Sequence, residues 1–197
     1  TSFTVKVDTS APTLSNIEYK YDGEDDTAYR PYSGAILTNK SKNIFFRGDY
    51  TDANVISSVK VSKVKSITAL EIPATLTPAS EGAANGTWTF ELDKSKISES
   101  GVSFVVLDNA GNESTTICSF NIDETAPVVT IESPTVSAST VLNGKNTFSG
   151  KVEEVNPKSI KLYYVFQASA AKIPAKLEEW AELSGCEVTK GLNNKTV

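Results

Sequence analysis

The chain has 197 residues, enough for one large or two ordinary domains, and its 39% hydrophobic and 22% charged content is typical of a globular protein. It contains no histidine, which excludes histidine-activated nucleophiles and histidine-ligated metal sites. The net charge is −5 and the basic residues are scattered, a pattern that argues against a nucleic-acid partner.

Apolar residues alternate with polar ones along most of the chain, and this period of two predicts β-strands. The predicted strands, in chain order, are Thr13–Lys20, Asn43–Tyr50, Val55–Val64, Ser66–Leu76, Thr87–Leu92, Val102–Leu107 and one that starts near Ser114. Seven short strands without a long helix predict an all-β fold, an antiparallel sandwich of two sheets. We expect Val102–Leu107 to be a central strand, because it is apolar on both faces.

The predicted core contains one aromatic side chain from most of these strands. The residues expected to be buried are Phe46, Trp88, Phe90, Phe104 and Phe120. Between the last two strands lies Asp108-Asn109-Ala110-Gly111-Asn112, where Asn and Gly tolerate positive φ and predict a hairpin turn.

An internal repeat divides the chain. Val7–Pro12 recurs as Ile122–Pro127, and Phe46–Gly48 recurs as Phe148–Gly150, in the same order. The repeat predicts three segments, with boundaries at 1–7, 8–122 and 123–197. We expect residues 1–7 to be the last strand of a preceding repeat, 8–122 to be one complete domain, and 123–197 to hold only the first strands of a second.

Three motifs of the first repeat together resemble a known family. They are Asp8–Pro12, which opens the repeat, the strand Trp88–Asp93, and the closing hairpin Leu107–Ser114. This combination is similar to the bacterial immunoglobulin-like repeats of large surface proteins, and the resemblance covers essentially the whole chain. It implies tandem immunoglobulin-like or fibronectin type III-like sandwiches in an extracellular, secreted or cell-surface setting. It does not imply a particular ligand, because such sandwiches carry many functions.

An acidic and tyrosine-rich inserted segment, Glu18–Tyr32, runs from the end of the first predicted strand towards the second. Its acids alternate as in a calcium loop, but Thr27 and Ser33 stand where an EF-hand needs Gly and Glu. The segment is therefore either a solvated surface loop, or a cation site or contact surface. The tyrosines that would form a contact surface for sugars or proteins are Tyr19, Tyr21, Tyr29 and Tyr32.

Ca²⁺ is the one cofactor that the sequence suggests, at the junction between the repeats. There the acidic segment would approach the start of the second repeat, and the crowded carboxylates would need a counter-charge. The residues of this predicted metal site are Asp22, Glu24, Asp25, Asp26, Asp123, Glu124, Glu153 and Glu154. The alternative is a solvated acidic surface screened by salt.

Further acids occur in turns of the first repeat. Asp49 lies at the end of the second predicted strand and Asp52 just after it, and Asp108 lies in the closing hairpin. Their oxygens would gather where these turns meet Asp8 or its counterpart Asp123, although Asp also serves turn geometry without any metal.

The two cysteines give no sign of catalysis. Alternation places Cys118 on the same strand face as Phe120, which predicts a buried thiol that acts as a small hydrophobe. Cys186 lies in a polar stretch that suggests no role.

These features predict a protein that is not an enzyme. The predicted function is a stalk, spacer or adhesive module of an extracellular surface protein, with neighbouring repeats, a host or matrix protein, or a glycan as partner. We expect no membrane insertion within this segment. Two alternatives remain: an accessory, carbohydrate-contacting module of a secreted polysaccharide-degrading enzyme, and a subunit of a surface layer or filament.

Overall fold

A computed structural model describes residues 2–5, 7–52, 64–133, 149–158, 160–161, 163–164, 176–182 and 195–196. The fold is all-β, and the described residues include no helix of seven residues or more. The chain divides into two compact units, Thr1–Glu124 and Thr125–Val197. In the described part of the chain, no helix has the length and apolar character needed to span a membrane.

The described residues of the first unit form ten strands. In chain order they are β1 (Thr13–Tyr21), β2 (Arg30–Pro31), β3 (Ala35–Thr38), β4 (Ile44–Thr51), β5 (Val64–Ala69), β6 (Ile72–Pro73), β7 (Thr75–Pro78), β8 (Asn85–Leu92), β9 (Val102–Asp108) and β10 (Glu113–Ile122). The first sheet has the order β2-β1-β4-β8-β7, and the second has the order β3-β10-β9-β5-β6. Strand β9 lies in the centre of its sheet, where its apolar character predicts it.

The two sheets enclose one hydrophobic core. Alternate residues of β4, β8 and β9 are buried because successive side chains of a strand point to opposite faces. All five aromatic residues predicted for the core are buried: Phe46, Trp88, Phe90, Phe104 and Phe120. The all-β sandwich predicted from the alternation is therefore confirmed.

Phe104 is the centre of this core. Its ring lies 4.7 Å from Trp88, 5.3 Å from Phe46 and 5.5 Å from Phe90, measured between ring centroids. Phe104 belongs to the second sheet, whereas its three partners belong to β4 and β8 of the first. Phe104 therefore packs across the interface between the two sheets. Its contacts with Phe46 and Phe90 are edge-on, an arrangement that aromatic rings prefer, and its contact with Trp88 is tilted.

The prediction of a purely antiparallel sandwich of about seven strands is wrong in two respects. Strand β3 pairs with β10 in parallel, with Phe120 opposite Ile36. The chain crosses to the second sheet only after β2, at residues 32–34, and β3 then runs alongside the last strand. The predicted strand Ser66–Leu76 is also divided, because the chain turns at Leu70 and Glu71 and then leaves the second sheet for the first.

Leu70 and Glu71 form a two-residue hairpin loop between the paired residues Ala69 and Ile72. Both have positive φ, 51° for Leu70 and 63° for Glu71. Loops of this kind favour Asn-Gly, because side chains with a Cβ are strained in the left-handed region. This hairpin is therefore a strained element of the first unit.

Where the second unit is described, it has three paired strands, β11 (Val128–Ser133), β12 (Ser149–Glu153) and β15 (Lys195–Thr196), and a two-strand pair, β13 (Tyr163–Tyr164) with β14 (Ala181–Glu182). One predicted strand, Val55–Val64, falls outside the described residues up to residue 63, and Phe148 and Cys186 lie outside them as well.

The first strand pair of each unit has the same register. Leu14 lies opposite Tyr50 in the first unit, and Val129 lies opposite Val152 in the second. These residues correspond under the offsets of the sequence repeat, 115 for the first strand and 102 for the next. Both pairs also contain an irregularity a few residues further on, between Ser15 and Glu18 in the first unit and at 131–133 in the second.

A glycine occupies the corresponding position in both units for the same steric reason. A Cβ on Gly48 would lie 2.8 Å from the carbonyl oxygen of Ser15, and one on Gly150 would lie 2.4 Å from that of Thr130. Real Cβ atoms do not approach backbone oxygens so closely, so only glycine fits without a shift of the backbone. The glycines that the repeat places in register thus meet the equivalent strand in each unit.

Candidate functional site

The segment that enters the first unit meets the hairpin that closes it. The side-chain amide of Asn112 donates to the carbonyl oxygen of Asp8 at 3.1 Å, and the hydroxyl of Ser114 donates to the carbonyl oxygen of Pro12. The hairpin closes through the amide of Asp108, which donates to the carbonyl of Asn112 at 3.0 Å, with Gly111 at φ 94°. Two of the motifs that resemble surface repeats are therefore in physical contact.

Asp108 is a buried carboxylate in this contact, with 1% of its surface exposed. Burial acts to raise its pKa. The donors of the hairpin outweigh burial and hold the pKa of Asp108 below its ordinary value. These donors are the backbone amide and the side-chain amide of Asn112, each 2.8 Å from an oxygen of the carboxylate. Asp108 is therefore an ionised group at the end of the core.

Three carboxylates come together at this end of the first unit. Oxygens of Asp8, Asp52 and Asp108 lie within 4.8 Å of one another, and both Asp52 and Asp108 are buried. Among the described residues, it is the one group of three or more acids whose oxygens lie close enough together to hold one metal ion. The turns in the sequence predict that these three acids, together with Asp49, can lie close to one another. Asp49 instead accepts a hydrogen bond from the side-chain amide of Asn16 at 2.7 Å.

Carboxylate oxygens are the ligands that Ca²⁺ prefers, and the ion takes about six to eight of them. Three side chains would leave at least half of such a shell to carbonyl groups and water. The donor type of Asp8, Asp52 and Asp108 fits the ion, but three neighbouring acids do not by themselves define a metal site. What the geometry establishes is a concentration of negative charge where the chain enters the unit.

The acids of the inserted segment are engaged with cations and backbone amides of the first unit. Glu24 forms an ion pair with Arg30 and accepts from the amide of Tyr21 at 2.8 Å. Asp26 pairs with Lys20 at 2.6 Å. These interactions lower the pKa of both carboxyls: the backbone donor contributes most for Glu24, and the Lys20 hydrogen bond contributes most for Asp26.

Asp25 has a structural role in the same segment. Its side chain caps the short 3-10 turn Asp26–Ala28 and accepts from the amide of Thr27 at 2.9 Å. The hydroxyl and amide of Thr27 hold the pKa of Asp25 below its ordinary value. Asp22, the other acid that this segment contributes to the predicted metal site, is exposed.

The remaining acids of the predicted metal site lie in both units. In the first unit, the amide of Asp123 donates to the carbonyl of Thr38 at 2.9 Å, and Glu124 pairs with Lys40 at 3.1 Å. In the second unit, Glu153 is the last residue of β12, and Glu154 accepts from the amide of Asn156 at 2.8 Å. In the first unit, the counter-charges of Asp26, Glu24 and Glu124 are therefore the basic side chains of Lys20, Arg30 and Lys40, which the sequence did not reveal as partners.

The four tyrosines of the inserted segment are all partly buried. Arg30 lies over Tyr19 and Tyr21, at 5.4 and 5.1 Å from their ring centroids. Tyr32 accepts from the amide of Ser119 at 2.9 Å and so ties the segment to β10. Tyr29 is the tyrosine that faces an open groove, which is described below.

Burial makes Cys118 inert, as its place in the strand predicts. The thiol is free and fully buried, and desolvation raises its pKa to about 12. A thiol of this pKa is almost entirely protonated at neutral pH and is a poor nucleophile.

Compared with protein-family models, with curated proteins and with solved structures, this chain gives no match.

Proposed function

We propose that this chain is a non-catalytic module of tandem immunoglobulin-like sandwiches in an extracellular surface protein, where it acts as a spacer or as an adhesive module. The observation that carries the proposal is the repeated strand register, Leu14 opposite Tyr50 and Val129 opposite Val152. A strand pair that is built twice, each time with a glycine at the close contact, supports an organisation as an array of similar units.

Arrays of sandwich units suit a role in which length and exposed surface matter more than a single reactive site. The lack of histidine removes the commonest general base, and the one free cysteine described is buried. The ionised Asp108 is held by amides of its own hairpin, a role that serves structure rather than proton transfer.

Localisation of the protein tests this proposal directly. Antibodies raised against the purified chain are applied to intact and to permeabilised cells of the source organism. We expect labelling of intact cells that disappears when the serum is first absorbed with the purified chain. Labelling that requires permeabilisation would overturn the extracellular role.

A screen for activity tests the non-catalytic part of the proposal. The purified chain is incubated with generic ester, peptide and glycoside substrates, and we expect no turnover above buffer. Reproducible turnover that is lost when a single Asp or Glu is replaced would show that the module is an enzyme.

A further inference from the structure

An open groove of about 370 Å³ lies on the first unit, beside the inserted segment. Small-ligand pockets range from about 300 to 1,000 Å³, so this groove has room for a small ligand. The side chains that matter for its chemistry are Tyr29, Phe45, Ile72, Thr75, Thr89 and Glu91. Phe45 on β4, and Thr89 and Glu91 on β8, alternate with buried core residues and therefore belong to the outward face of the first sheet.

The inserted segment builds one wall of this groove. Tyr29 directly follows the 3-10 turn that Asp25 caps. The guanidinium of Arg47 lies 3.8 Å from the centroid of the Tyr29 ring, and Glu18 holds that guanidinium at 2.7 Å. The ring is therefore fixed by contacts that exist without any ligand, and a preformed wall lowers the entropy cost of binding.

The polar side of the groove is also held in place. The side-chain amide of Asn43 donates to Glu91 Oε1 at 2.8 Å. A carboxylate has about four acceptor positions, so Glu91 can still accept from neighbouring hydroxyl groups of a ligand. Thr75 and Thr89 lie opposite each other on β7 and β8, and both are exposed. Their hydroxyls can donate and accept.

The charges around the groove select against ionic ligands. Glu91 repels anions at one side. At the other side, Lys20 lies 5.1 Å from the centroid of Tyr29 and 5.7 Å from that of Phe45, and Arg47 covers Tyr29. Native cations thus already occupy the positions near these rings that a cationic ligand would take, and they would repel it.

A neutral ligand with an apolar face and several hydroxyl groups fits this set of side chains. The C–H face of a pyranose ring is apolar and packs against aromatic and aliphatic side chains, here Phe45 and Ile72, while Tyr29, which Arg47 covers on one face, forms the wall beside them. Its hydroxyls need acceptors and donors at the rim, which Glu91 and the two threonines supply. We propose that this groove binds one or two sugar units of a neutral polysaccharide. The inference rests on the proposed adhesive role and names the ligand class for it.

Binding is tested by isothermal titration calorimetry of the full chain with three neutral probes: hexamers of β-1,4-linked glucose, of β-1,4-linked mannose and of β-1,4-linked N-acetylglucosamine. We expect saturable binding of at least one probe. Phe45→Ala should lower the association constant at least tenfold, because it removes the apolar floor. Glu91→Gln should lower it severalfold, because a neutral amide is a weaker acceptor.

Thr89 and Thr87 provide a matched pair that does not disturb the fold. Both are exposed residues of β8 on the same outward face, but only Thr89 lines the groove. Thr89→Ala should weaken binding about threefold, whereas Thr87→Ala should leave it unchanged. Circular dichroism and thermal melting of Phe45→Ala show whether that variant has kept its fold. If it has not, the threonine pair still decides the question.

Three outcomes would overturn this inference. They are no saturable binding of any of the three hexamers, equal affinities of the Thr89→Ala and Thr87→Ala variants, and binding of an arginine-rich peptide in place of the saccharides. The result is separable from the proposed function. Saccharide binding by a protein found only inside cells would refute the surface role and keep the site. A surface protein that binds none of the probes would refute the site and keep the surface role.

Discussion

Replacement of Phe104 tests whether the two sheets form one core. Phe104→Ala removes a fully buried ring and its contacts with Phe46, Trp88 and Phe90. Truncation of a buried Phe to Ala costs about 3–5 kcal/mol. The three ring contacts, each worth roughly 0.5–1.5 kcal/mol beyond area burial, place the expected loss at the upper end of that range. Since domains are stable by only about 5–15 kcal/mol, the first unit would be left marginally stable.

The assay is urea unfolding followed by tryptophan fluorescence in a Trp180→Phe background. That change makes Trp88, whose ring centroid lies 4.7 Å from Phe104, the only tryptophan of the chain. Phe104→Leu keeps most of the volume but loses the ring contacts, so it should cost less than Phe104→Ala and remains measurable if the alanine variant does not fold. Ile117→Ala is the control, because this side chain is 57% exposed. If Phe104→Ala cost no more than Ile117→Ala, the packing described for the core would be refuted.

Three further predictions concern strain, ionisation and reactivity. Replacement of Leu70-Glu71 by Asn-Gly should raise the free energy of unfolding by about 1–2 kcal/mol, because both positions have positive φ; a lower melting temperature would contradict this. The folded-state pKa of Asp108 is depressed. Its stabilisation is therefore present above its unfolded pKa of about 3.9 and lost as pH falls through the folded pKa. Accordingly, the stability difference between wild type and Asp108→Asn should shrink from pH 7 to pH 3 in urea unfolding, and a constant difference would be the wrong result. Cys118 should resist iodoacetamide at pH 8 in the native chain and react in guanidinium, as read by peptide mass spectrometry, because its pKa is about 12; rapid native labelling would show that the thiol is accessible.

Sequence alternation was sufficient to predict the core, because burial in a strand follows a period of two. Trp88 and Phe90 are buried, while Thr87, Thr89 and Glu91 between and beside them are exposed. The repeat was readable for the same local reason, since equivalent strands need equivalent residues. The parallel pairing of β3 with β10 was not predictable in this way. It depends on where the chain crosses between the sheets after β2, and no residue of β3 indicates its partner.

The candidate sites depended on contacts between distant parts of the chain. Asn112 reaches Asp8 across 104 residues, and Arg47 reaches Glu18 across 29. The acids of the inserted segment were visible in the sequence, but the basic side chains that pair with them were not assigned, because charge composition does not show which side chains are in contact. Alternation could have placed Thr89 and Glu91 on the outward face. The groove itself could not be predicted from alternation, because Tyr29 forms one of its walls and the position of Tyr29 depends on the fold.

The pairing of β10 has a mechanical consequence for a chain under tension. Its first half is bonded to β9, and its last four residues run parallel to β3, with Ile122 opposite Thr38. The amide of Asp123 adds one more bond, to the carbonyl of Thr38. A pull applied to the chain beyond Asp123 acts along β10 and therefore across these bonds, which must slide and break together rather than open one after another. The parallel strand thus acts as a shear clamp at the point where force would leave the first unit.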